Sequence, residues 1–301
     1  MHKTVSRIVI TGAALALSAC VRFEDGLLAY ERGDYRQAFE RWQVLSEFGD
    51  PAAQNHLGVL FDHGLGVAED DEQAVRYFRI AAETGFAPAC NNLGLMYKKG
   101  AGVLQDHRKA VEWFKKAVAA GHLDAMNNLA VMFDHGQGVP ENDGEAARLF
   151  REAAIRGSLQ AQNNLGLVYE RGVGVSKNEA EAVRWFKQAA ERGHPEAQSN
   201  YGAMLDNGRG IERNSEEAIV WFTKAARSGE VAAQLNLGLM YQSGRGAEID
   251  LVEAYKWFNL AASGGSAQAA IRKTELAGKM SAAQLSEAQR RSLIENISDR
   301  P

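Results

Sequence analysis

The chain has 301 residues, 46% hydrophobic, 24% charged and 8% aromatic, a balance that excludes both a disordered polar tail and a membrane-embedded bundle. Removing residues 1–19 takes away Lys3 and Arg7 and no acid, leaving 32 basic against 38 acidic residues; with no basic excess to neutralise phosphates, no nucleic-acid partner is expected. Thirty glycines against five prolines predict many short helices closed by glycine and argue against an all-β fold.

Lys3 and Arg7 precede an apolar run from Ile8 to Ala19. As a helix it would extend ~18 Å, too short to cross a ~30 Å hydrocarbon layer, so residues 1–19 read as a signal peptide. Its end, Leu17-Ser18-Ala19-Cys20, resembles the lipobox of bacterial lipoprotein precursors. That resemblance implies that Cys20 becomes an acylated N-terminus and ties the chain to the membrane through its lipid. Val21 stands where an aspartate would mark inner-membrane retention, which implies the outer membrane, facing the periplasm. The alternative is an ordinary signal peptide that happens to contain a cysteine. Cys90 is the other cysteine, so the mature chain has no disulfide framework and must be stabilised by packing.

Residues 20–52 hold the anchor and a first helix pair, carried by Tyr30-Glu31-Arg32-Gly33-Asp34-Tyr35, Ala38, Trp42 and Gly49. From Ala53 to Gln268 the chain aligns with itself at a step of 36 without a gap, in six units. Leu57, Leu93, Leu129, Leu165, Tyr201 and Leu237 share one position, followed by glycine in five units and by Ala130 in the third. A glycine inside a helix costs about 1 kcal/mol relative to alanine, so five at one position predict close helix contact. Glycines from Gly64 to Gly244 end this helix, and a second series two residues on, from Gly66 to Gly246, lets the connection turn. The second helix opens at Asp70, Asp106, Asn142, Asn178, Asn214 and Asp250, with a capping-box Gln or Glu three residues later everywhere except Lys109. Inside it lie aromatic pairs such as Trp113-Phe114 and Trp185-Phe186, read as packing residues. Beyond Ala269 the period fails, and residues 269–301 are expected to cap the stack, with Ser281 and Gln284 opening a last amphipathic helix over unit six.

The pattern Ala-x-x-x-Leu-Gly-x-x-Tyr-x-x-Gly-x-Gly-Val, then Asp/Asn-x-x-x-Ala-x-x-Trp-Phe-x-x-Ala-Ala-x-x-Gly, resembles the Sel1-like repeat, a relative of the tetratricopeptide repeat. The pair within residues 20–52 resembles a plain tetratricopeptide unit. The resemblance implies an all-α fold, an α-solenoid built as a right-handed superhelix of helix-turn-helix repeats of 36 residues with a concave face. Six such repeats then fill residues 53–268.

No catalytic or cofactor signature emerges. The histidines form no HExxH or Cys/His cluster, and no metal or cofactor is expected; Asp62-His63 and Asp134-His135 read as solvated helix ends. The Gly-x-Gly turns follow helices, not strands, which argues against a nucleotide site. Met96, Met132, Met204 and Met240 share a core position, and Cys90 reads as an incidental thiol.

One polar signal stands out: Asn92, Asn128, Asn164, Asn200 and Asn236, each just before the Leu-Gly position, with a second set at Asn55, Asn91, Asn127 and Asn163. In tetratricopeptide proteins that bind extended peptides, an asparagine there holds ligand backbone on the concave face. The resemblance therefore implies a ladder of five amides along the groove, binding a protein or extended peptide. The alternative is that these amides bond neighbouring helices within the stack. Pro88, Asp124, Gln160, Glu196 and Ala232 stand where the carboxylate-clamp version has lysines, which argues against a C-terminal carboxylate ligand. The expectation is a non-enzymatic, lipid-anchored scaffold or adaptor. The alternatives are a surface-exposed or secreted virulence factor engaging a host protein and, through Cys-rich relatives, a β-lactam-binding or hydrolysing enzyme.

Overall fold

A computed structural model describes residues 22–298; residues 1–19, expected to be a signal peptide, and Cys20 lie outside the described residues. Those residues form sixteen helices and no strand. The chain divides into two compact units at residues 142 and 143. In the first, α1 (Phe23–Glu31), α2 (Tyr35–Glu47), α3 (Pro51–Asp62), α4 (Asp71–Glu83), α5 (Ala87–Lys99), α6 (His107–Ala119) and α7 (Leu123–Asp134) each pack on the next. The second unit runs through α8 (Asp143–Ile155), α9 (Leu159–Arg171), α10 (Glu179–Glu191), α11 (Pro195–Asn207), α12 (Ser215–Arg227), α13 (Val231–Ser243), α14 (Leu251–Ser263) and α15 (Ala267–Ala277) in the same way. The last helix, α16 (Ala282–Ser298), packs on α14. The architecture is an α-solenoid, as the period predicts.

Short side chains that accept from the backbone start the second helix of each pair. Asp70, Asp106, Asn178, Asn214 and Asp250 accept from the backbone N–H three residues on, a cap that contributes about 1 kcal/mol to each helix. The carboxylates expected to close the capping box have other partners: Glu181 meets Arg184 at 2.6 Å, Glu217 accepts from Trp221 Nε1 at 3.2 Å, and Glu253 meets Lys256 at 2.7 Å. The full box does form at the last helix, where Gln284 N donates to Ser281 Oγ and Ser281 N to Gln284 Oε1. Gly100, Gly172, Gly208 and Gly244 are left-handed C-caps; at α3 and α7 the cap residue is His63 and His135, with glycine one residue later.

Two glycine series lock the stack. A Cβ at Gly58 or Gly94 would sit 2.6 Å from the ring of Phe78 or Phe114, and Gly166, Gly202 and Gly238 back onto Phe186, Phe222 and Phe258 in the same manner. Those five phenylalanines are fully buried, so close approach to a ring is what offsets the glycine penalty. The second series does more than turn the chain. Gly102 abuts the backbone of Asp71, Gly138 that of His107, Gly174 that of Asp143, Gly210 that of Glu179 and Gly246 that of Ser215, each at the first turn of the preceding unit's second helix. The methionine position is core, as expected.

At the C-terminal end α15 begins at Ser266, whose hydroxyl accepts from Ala269 N, and occupies the first-helix place of a seventh unit. Lys273 and Thr274 replace the Leu-Gly pair there, which is why the period is lost in the sequence. Ala254, Phe258, Ala269, Leu276 and Ala288 form one apolar cluster, so the last helix does cover unit six.

Candidate partner-binding face

What the first helix of each repeat leaves outside its neighbours falls at i, i+3 and i+7, one stripe of an α-helix. On α5 the stripe is Asn92, Leu95 and Lys99; on α7 it is Asn128 and Val131, continued by the cap residue His135; on α13 it is Asn236, Leu239 and Ser243. Asn164 with Leu167 on α9 and Asn200 with Ala203 on α11 hold the same places. All five asparagines and the apolar residue after each are half-buried. On α3 the first position is His56, which stacks on Trp42 at 4.4 Å and meets Phe23 at 5.3 Å, so the N-terminal pair covers it. That burial holds the His56 imidazole below the usual histidine value.

The two asparagine sets meet each other. Asn92 Nδ2 donates to Asn55 Oδ1 at 3.0 Å, Asn128 to Asn91 at 2.9 Å and Asn200 to Asn163 at 2.9 Å. The inner acceptors are buried, so each bond ties the outer amide of one repeat to the inner amide of the repeat before. Ser199 replaces the inner asparagine of the fifth repeat, and Asn236 forms no such bond among the described residues. A primary amide carries two donor hydrogens and an acceptor, so one scaffold bond leaves capacity for a ligand.

Other junction contacts escaped the sequence reading. Gln54, Gln162, Gln198 and Gln234 donate to Ser46, Ala154, Ala190 and Ala226 carbonyls at 3.1–3.3 Å, a column eight residues deep at each joint. Cys90 fills that column with a thiol 3.6 Å from the Ala82 carbonyl, and burial raises its thiol above the ordinary value. Reading the Gln position at the same step would have exposed this column. His122 and His194 are N-caps, their Nδ1 accepting from Ala125 and Ala197 at 3.2 Å, and burial lowers both imidazoles.

Charge at the helix ends differs between repeats. Arg209, between two turn glycines, reaches Glu170 at 2.7 Å and Glu179 at 3.2 Å, and Arg245 reaches Asp206 at 3.0 Å. Asp62 and Asp134 instead face His63 and His135 Nδ1 at 3.5 and 3.0 Å, with both imidazoles more than half exposed. These are solvated helix ends, as the sequence suggests.

The Sel1 repeat family matches residues 51–86, 87–122, 123–158, 159–194, 195–230 and 231–266, each frame two residues ahead of the register read from Ala53. The chain belongs to the Sel1 repeat family, whose members are generally protein-interaction scaffolds rather than enzymes. It is similar to a Sel1 repeat protein from Oxalobacter formigenes, at 34% identity and a TM-score of 0.76 over 81% of this chain and all of that one. It is also similar to a protective antigen present in uropathogenic Escherichia coli strains, at 35% identity and a TM-score of 0.69; 87% of this chain is covered but only 57% of the antigen. An immunity protein from Pseudomonas aeruginosa, 19% identical with a TM-score of 0.50 over 71% of this chain and 81% of its own, is alike in fold alone. Among curated proteins nothing matches.

Proposed function

We propose that this chain is a non-enzymatic adaptor of the bacterial envelope that binds a protein or extended peptide along the outer stripe of its first helices, held at the outer membrane by lipid on Cys20. The observation that carries the reading is the recurring pair of a half-buried asparagine and a half-buried apolar residue three positions on, repeated on α5, α7, α9, α11 and α13. Amides pair with peptide groups whatever the ligand's sequence, and the apolar row supplies buried area. A lipid anchor would confine this face to the membrane surface and raise the partner's local concentration there.

Asn128 and Asn91 share one hydrogen bond, but Asn128 is half-buried on the stripe and Asn91 is buried behind it. Asn128→Ala and Asn91→Ala should therefore lower stability alike, by about 1 kcal/mol each. With the full chain as bait on solubilised envelopes, only Asn128→Ala should weaken capture of the partner; equal loss in both variants would make the amides scaffold alone. Cys20→Ser should release the chain from membranes, and continued pelleting with membranes would contradict the anchor.

A second reading, outward exposure at the cell surface and contact with a host protein, is favoured by the likeness to the E. coli protective antigen. Protease shaving of intact cells separates the two.

A further inference from the structure

Between α3 and α5 the stripe opens into a cleft of about 180 Å³. Its walls and floor are apolar: Val59 from α3, Leu95 and Met96 from α5, and the buried ring of Phe78. Asn92 stands at one end, bonded to Asn55. At the other end stand Lys99 and the Asp62–His63 pair, in which the Asp62 carboxylate lies 3.5 Å from the imidazole.

Lys99 is the one lysine or arginine that lines this cleft. Among the described residues it makes no ion pair and no hydrogen bond through its side chain, while Arg148, Arg184, Arg209 and Arg291 are all paired. A lysine in the last turn of a helix is favoured by the macrodipole by about 0.3–1 kcal/mol, which accounts for a cation at the end of α5. What sets Lys99 apart is its place in the lining of an apolar cleft with an amide opposite. At the matching position the other repeats carry His63, His135, Arg171, Asn207 and Ser243, so a lysine or arginine recurs there only on α9.

We infer that this cleft is the specificity subsite of the partner-binding face, taking an extended segment that places a Val, Leu or Ile side chain on the apolar floor and a neighbouring Asp or Glu side chain against Lys99. The inference rests on the peptide-binding reading above and adds the chemistry of the ligand. The volume equals that of about six liquid waters, which fits one branched aliphatic side chain. Asn92 holds ligand backbone without regard to sequence, so discrimination falls to the floor and to Lys99, the one lysine or arginine that lines the cleft. The carboxylate belongs to an internal side chain, because Pro88 and Asp124 occupy the positions where lysines would clamp a chain terminus.

The test is selection from a displayed library of random dodecamers with fixed flanking sequence, using the full chain and three variants, each checked for a cooperative melting transition well above the temperature of selection. The wild type should enrich segments in which Asp or Glu lies within two residues of Val, Leu or Ile. Lys99→Met should erase the acidic preference, and Lys99→Glu should invert it toward Lys or Arg, with at least a tenfold swing in relative affinity between acidic and basic versions of one selected peptide. Asn92→Ala should weaken both versions about equally and leave the preference in place. Enrichment of acidic segments that Lys99→Glu does not alter, or enrichment without acids, overturns the subsite while leaving a peptide-binding face. Failure of any segment to enrich on the wild type overturns the face itself.

Discussion

The two ends of the chain solve one problem with opposite chemistry. A stack of identical units leaves an unsatisfied apolar face at each end, and capping units must cover it. At the N-terminal end the cover is aromatic: Trp42, with none of its surface exposed, stacks with Phe23 at 5.9 Å, tilts against Tyr30 at 5.8 Å and carries His56 on its face. Gly26 lets α1 come this close, since a Cβ there would lie 2.5 Å from the indole nitrogen. At the C-terminal end α16 brings small residues, Ala288 and Ser292, and a seam of charge. Arg291 meets Glu253 at 2.8 Å, Lys256 meets Glu253 at 2.7 Å and Glu295 at 3.3 Å, and Arg227 meets Glu295 at 3.2 Å. The aromatic end depends on volume and shape; the charged end depends on protonation.

The largest separation should come from volume. Trp42→Ala removes the centre of the aromatic cluster and should cost about 3–5 kcal/mol in urea unfolding, while Trp42→Phe, which also removes an indole N–H with no acceptor, should cost under about 1.5 kcal/mol. If both substitutions cost the same, shape is not what holds that end.

Next in size is the charged seam. Lys256 has 8% of its side chain exposed, lies over the Trp257 ring at 4.1 Å and joins two carboxylates. Lys256→Met keeps the stem's packing and leaves Glu253 with Arg291 and Glu295 with Arg227, so the expected loss is about 1–3 kcal/mol. A loss near zero would mean that packing alone seats α16.

The smallest effect sharpens the contrast through pH. Burial lowers the His56 imidazole in the folded chain, so its contribution is complete above the ordinary value of 6.5 and fades as pH falls through the depressed one. Hydrogen bonds from Arg290 and Arg291 hold Glu287 down to about 2, so its contribution is complete above 4.5 and fades toward pH 2. Amide protection factors, corrected for the intrinsic exchange rate at each pH, should therefore fall in α1 and α2 as pH drops below 6.5, while α16 keeps its protection down to pH 4.5 and loosens only below it. The reverse order would break the comparison.

The repeat pattern made most of the fold legible because packing imposes the same demand every 36 residues. Gly58 and Phe78 recur as a matched pair, and Asp70 recurs as a cap. The last helix pair was harder to read, since α15 keeps the geometry of a repeat while Lys273 and Thr274 break its signature. At the face, the asparagines were visible as a column, but their mutual bonds were not. Asn92 and Asn55 lie 37 positions apart, and only the stacking of α5 on its neighbours brings one amide to the other. Lys99 could be read in the sequence only as one of the varied polar residues that end the first helices, with His63, His135 and Arg171 at the same place, because periodicity reveals what repeats keep in common.

The joints formed by the second turn glycines touch main chain, not side chains, as where Gly102 meets the backbone of Asp71. Backbone is the one surface that every residue type presents alike. At this joint a unit duplicated or exchanged by recombination therefore needs no matching change in its predecessor, and its outward residues are left to diversify under selection for new ligands.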